Sequence, residues 1–130
     1  MAITGLYIDK KDYDINTVNS EKILNAYYIL DEINFFYEYI GDNNLEQCFM
    51  NLIINIYKNQ EDRNNRINII NNICYTTTVE KHIDLSNLWN TLYIQIKQNL
   101  INENTTYLKE TLNVDVLPDE YQNMIVFNDV

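Results

Sequence analysis

The sequence predicts a mainly α fold: a single domain over residues 1–130, built as a bundle of about five helices around a central apolar helix at 20–41. Three observations carry this expectation. The chain holds two glycines and one proline, whereas folds rich in hairpins and tight turns use more of both. Apolar residues recur at helical spacing in several stretches. With 46% apolar residues, a chain of this length can bury an ordinary core and is too hydrophobic for a disordered acidic tail.

Within an irregular opening over 1–19, Ile3 to Ile8 reads as a short strand, followed by the charged stretch from Asp9 to Asp14. Ser20 is placed to cap the first helix, with Glu21 in its first turn and Gly41 at its end. Ile23, Ala26, Tyr27, Leu30, Ile33, Tyr37 and Ile40 then repeat at helical spacing. Tyr28, Ile29, Phe35, Phe36 and Tyr39 make this segment apolar nearly all round, as in a central bundle helix. Asn43 with Glu46 resembles a capping box for a second helix carrying Leu45, Cys48, Phe49, Leu52, Ile56 and Tyr57.

A turn at 59–62 leads, with Asp62 as cap, to a third helix through Ile67, Ile70, Ile73 and Cys74. Thr76, Thr77 and Thr78 break that pattern, being β-branched and polar. A fourth helix from near Asp84 aligns Leu85, Leu88, Trp89, Leu92, Ile96 and Leu100, with Trp89 as a core anchor. A short fifth helix follows at 105–112. After Pro118, Met124 to Phe127 read as a strand-like tail able to pair with the N-terminal segment in a minor β element.

Charge is the chief functional signal. Nineteen acidic residues face nine basic ones, a net charge of −10. Such a field attracts cationic partners and repels nucleic acid and anionic membrane. Asparagine makes up 22 residues, with isoleucine and tyrosine also abundant, a bias typical of AT-rich coding sequence. Lysine stays low against that bias, which points to selection for acidity. Cys48 and Cys74, on apolar faces, read as buried thiols of a reducing compartment. Residues 1–19 lack the pattern of a secretion signal, and no apolar run reaches the roughly 20 residues of a membrane span. A cytoplasmic location is expected, and the Asn104-Thr105-Thr106 sequon reads as accidental.

No reaction is legible. His82 is the single histidine and neither cysteine belongs to a short pairing motif, so zinc lacks ligands. Asp9, Asp12 and Asp14 lack the glycine turn and closing glutamate of a calcium loop. Ser20 and Ser86 stand at helix starts without a histidine partner motif, and there is no glycine-rich phosphate loop. The chain is therefore expected to be no enzyme, to use no cofactor or metal, and to bind no nucleic acid. On the first helix, Tyr28, Asp31, Phe35, Glu38 and Asp42 fall along one side, a partner-binding face of aromatic anchors between carboxylates. Beyond Lys109 there is no cation, and Tyr121, Met124, Ile125 and Phe127 are apolar enough to dock this acidic tail on its own domain.

These features lead to a stoichiometric inhibitor of a basic protein, such as a toxin or nuclease domain with a cationic cleft. In size, acidity and Asn/Ile/Tyr bias the chain resembles small immunity proteins from mobile islands, a likeness of general character. The alternative is an interaction or scaffold module: a helical bundle resembling the poxvirus Bcl-2-like group, or a subunit of a larger assembly.

Overall fold

A computed structural model describes residues 2–9, 22–40, 45–79 and 85–130. The chain forms a five-stranded antiparallel sheet with one long helix, which overturns the mainly α, all-helical bundle. β1 (Ile3–Ile8), β2 (Lys22–Ile40) and β3 (Leu45–Tyr57) are followed by the short α1 (Gln60–Asn64) and β4 (Ile69–Thr78). A 3-10 turn at Leu85–Asn87 leads into α2 (Leu88–Leu112), then α3 (Asp119–Met124) and β5 (Asn128–Asp129). The spatial order is β4-β3-β2-β1-β5.

The segment expected as the central helix at 20–41 is the 19-residue strand β2. Its aromatic and β-branched content suits a pleated surface. Ala26, Tyr28 and Leu30 are buried and belong to the main core. Between Leu30 and Glu32 the register to β3 shifts, and Asp31 is the extra residue. Beyond it Ile33, Phe35 and Tyr37 oppose Leu52, Met50 and Cys48, continuing the same face. That face therefore runs 28, 30, 33, 35, and the step of three at the bulge imitates helical spacing. Tyr27 is buried on the opposite face with Ala2 and Tyr57, so β2 is apolar on both sides as a twice-covered strand is.

The second expected helix is β3, whose Met50, Leu52, Ile54 and Ile56 alternate into the core at strand period. Of the third, only α1 is helical, and its cap is Asn59, whose Oδ1 accepts from Asp62 N at 2.8 Å. Arg66 and Asn68 then take left-handed backbone angles, φ 53° and 55°, in the turn into β4. Thr76, Thr77 and Thr78 close that strand. The fourth and fifth expected helices are one element, the 25-residue α2. Its Leu88, Leu92, Ile96, Leu100 and Leu108 form an every-fourth-residue stripe into the core, with the polar Asn104 buried in the same row.

Other expectations also need correction. Trp89 is half exposed, stacked on Tyr93 at 6.4 Å between centroids, rather than a core anchor. Cys48 is half-buried and Cys74 exposed, both free thiols, so neither is a buried core residue. Asn104 is buried within α2 and donates to Leu100 O at 2.9 Å, so the sequon has no surface asparagine. Ser20, Gly41, Asn43 and Asp84, with their expected capping roles, lie outside the described residues, as do Asp12, Asp14 and His82.

The core fills the space between one sheet face and α2. Each fully buried Leu or Ile there contributes about 1.5–3 kcal/mol. Tyr28 Oη donates to Leu6 O at 2.7 Å while its ring meets Phe127 edge-on at 5.8 Å. Gly5 lies under Phe127, and a β-carbon at that position would run into the ring. Leu117 and Phe127 are buried, with Tyr121, Met124 and Ile125 packed beside them, so the C-terminal segment docks on its own domain. The chain ends pair as well: β5 joins β1, and Ala2 and Val130 exchange backbone hydrogen bonds of 3.1 and 3.0 Å.

Candidate partner-binding surface

β1 accompanies β2 only over Lys22–Tyr28, whereas β3 accompanies it to Ile40. From Leu30 onward, no strand among the described residues pairs with the β1 side of β2. The structure resolves the first group left over there internally, because Leu30 N donates to Tyr93 Oη at 2.9 Å. Burial pushes the Tyr93 hydroxyl above its ordinary range, partly opposed by this same bond from Leu30. Past that point β2 and β3 run on as a ribbon, which β4 accompanies only as far as Phe49.

The expected site residues are not brought together. Tyr28 is 2% exposed and faces the core, where burial drives its hydroxyl far above the ordinary tyrosine range. Its burial and its hydrogen bond to Leu6 O give it a packing role in the core. Asp31 lies on the other face, where it accepts from Asn55 Nδ2 at 2.7 Å and from Arg63 Nη2 at 3.0 Å. Phe35 is 52% exposed and Glu38 is exposed, both on the ribbon. Asp42 lies outside the described residues. At about 3.3 Å per residue, a strand spreads positions 28 to 38 over roughly 33 Å and sends the aromatics and carboxylates to opposite faces.

Phe35 and Glu38 remain, and the strand gives them new neighbours. On the outer face Glu32, Asn34, Phe36 and Glu38 oppose Ile53, Asn51, Phe49 and Gln47, and Phe36 stacks on Phe49 at 5.4 Å. Phe35 and Tyr37 stand on the core side but are more than half exposed. Glu32, Asn34, Phe36 and Tyr37 were not singled out from the sequence as site residues. The alternation Ile33/Phe35/Tyr37 against Asn34/Phe36/Glu38 is the signal that finds them.

Among the described residues, the ion pairs are Arg63–Asp31 and Lys97–Asp129, both at 3.0 Å. Glu32 and Glu38 have no cation partner in that set, and Glu110, Asp115, Asp119 and Glu120 are exposed as well. A cavity of about 240 Å³ opens beside Tyr7, Tyr28, Asn71, Glu103 and Asn104. Its polar groups are engaged with protein: Asn71 Nδ2 donates to Tyr7 Oη at 3.3 Å and Tyr75 Oη to Glu103 Oε2 at 3.1 Å. Burial, with the Glu103 carboxylate next to it, holds the Tyr75 hydroxyl above its ordinary range. Among the described residues no three His, Cys, Asp or Glu side chains are grouped to hold a metal ion. None of the described helices is long and apolar enough to cross a membrane. No protein-family model, no curated protein and no solved structure matches this chain.

Proposed function

We propose that this chain is a stoichiometric inhibitor that binds and neutralises a basic protein, such as a toxin or nuclease domain whose cationic cleft ordinarily holds phosphate. The observation that carries this reading is the outer half of β2, where Glu32 and Glu38 have no cation partner among the described residues and the half-exposed Phe35 lies between them. Aromatic area anchors an interface, and surrounding carboxylates steer and select a Lys- or Arg-rich counterpart. The net charge of −10 extends that attraction over the whole surface. A helix-sequestering bundle with a groove no longer competes, because the chain has no bundle.

The test is affinity capture from cells that naturally express the chain, followed by association kinetics of the purified pair across ionic strength. A basic partner is expected at one-to-one stoichiometry, with an association rate that falls steeply as salt screens the exposed carboxylates. Capture of an acidic or neutral partner, or a rate indifferent to salt, would overturn the reading. So would turnover of a substrate by the chain alone.

A further inference from the structure

We infer that the edge of β2 beyond Leu30, which pairs with no strand among the described residues, receives an extended, lysine- or arginine-bearing segment of the partner as an added antiparallel or parallel strand. This rests on the reading above and deepens it, naming the form of the partner segment. Leu30 gives its N–H to Tyr93 and not to β3, so its backbone faces away from β3. Antiparallel alternation, allowing one extra residue at Asp31, carries that orientation to Ile33 and Phe35. Backbone groups on such an edge form a ready template for another strand. β1 ends beside Tyr28, so an incoming strand would prolong its line.

Charge selects the occupant. Glu32 and Glu38 flank Phe35 along this edge, and like charges facing each other across paired strands are destabilising. Two copies of β2 pairing antiparallel about Phe35 would set Glu32 against Glu38, and each copy carries −10 overall. Self-association is disfavoured and a cationic strand is favoured. β4 offers a second outer edge, but over Ile69–Thr78 it bears no carboxylate to attract one.

The probe is a synthetic peptide about ten residues long, the upper length of ordinary strands, alternating lysine with valine. A glutamate–valine peptide is the control, and amide hydrogen exchange of the full chain is followed by nuclear magnetic resonance. The lysine peptide is expected to slow exchange at Ile33 and Phe35, leave β4 unchanged, and be displaced by salt. Phe35→Pro, which removes an edge N–H without touching the β3 ladder, should weaken binding about tenfold, against a smaller loss for Phe35→Ala. Protection confined to other elements overturns the edge, as does Phe35→Pro binding like Phe35→Ala. If Glu32→Lys with Glu38→Lys still abolishes binding in that case, a basic partner stands without strand addition. If the charge reversals also leave binding intact, the edge and the basic-partner reading fall together. Exchange on the unaltered chain decides between these outcomes even where a proline variant fails to fold.

Discussion

Residues 22–30 and 32–40 of β2 are one unbroken strand of similar composition, yet they occupy opposite situations. In the first stretch Ala26, Tyr28 and Leu30 are sealed under α2, and β1 flanks the strand as far as Tyr28. In the second, Phe35 and Tyr37 stand more than half exposed and β1 has ended. The contrast teaches that composition did not assign these roles. The length of the neighbours did. β1 stops beside Tyr28, and Tyr93 of α2 takes up Leu30 N, the first backbone donor left over. Past that point Phe35 and Tyr37 stand outside the core.

Alkali would break the contrast most completely. Tyr28 and Tyr75 in the covered region, with Tyr93 at its border, keep neutral hydroxyls because burial raises them above the ordinary value near 10. The folded chain then holds protons that the unfolded chain releases above pH 10. Stability is full below that pH and falls as pH climbs past it. Circular dichroism against pH should show a plateau to about pH 10 and cooperative unfolding beyond. Unfolding already complete well below that pH would contradict the burial described for these tyrosines.

Truncating the sealed half comes next. Ile54→Ala or Leu92→Ala should cost about 2–5 kcal/mol in urea unfolding, since both side chains are almost wholly buried. Phe35→Ala should cost well under about 1 kcal/mol, and equal losses would erase the distinction. Gly5→Ala should cost about 1–3 kcal/mol through collision with Phe127, and Phe127→Leu should recover part of that loss in the double variant. At the border, a double-mutant cycle on Asp31 and Arg63 should give a coupling of about 0.2–1 kcal/mol, weakened by salt. A coupling indistinguishable from zero at low salt would mean that the pair adds nothing to stability at the bulge.

What the sequence disclosed follows the same division. α2 was legible because Leu88, Leu92, Ile96 and Leu100 meet one neighbour along a single uninterrupted face. β1 was legible as a short apolar run. β2 was not, for two physical reasons. Burial of Tyr27 on one face and Tyr28 on the other removes the alternation that marks a half-buried strand, and the extra residue at Asp31 inserts a step of three. β3 alternates cleanly from Met50 to Ile56, but the residues between are Asn51, Ile53 and Asn55, and the isoleucine blurs the polar phase. Of the site, Phe35 and Glu38 were visible as an aromatic near a carboxylate. Tyr28 was misplaced because a helical wheel put it beside Phe35 on an exposed side. The pairing of Asp31 with Arg63 was not legible because the two lie 32 residues apart.

The supernumerary Asp31 has a further effect. It is absorbed as an unpaired extra residue, so a deletion of that single codon would join Leu30 directly to Glu32 in plain alternation and leave the register of the ribbon as it is. Phe36 and Glu38 would keep the outer face and Phe35 and Tyr37 the core side, while the strand lost its local bend and the contact of Asp31 with Arg63. In a chain built this way, one residue can be lost at the bulge with both faces of the ribbon kept, whereas a loss within a regularly paired stretch would turn over all that follows.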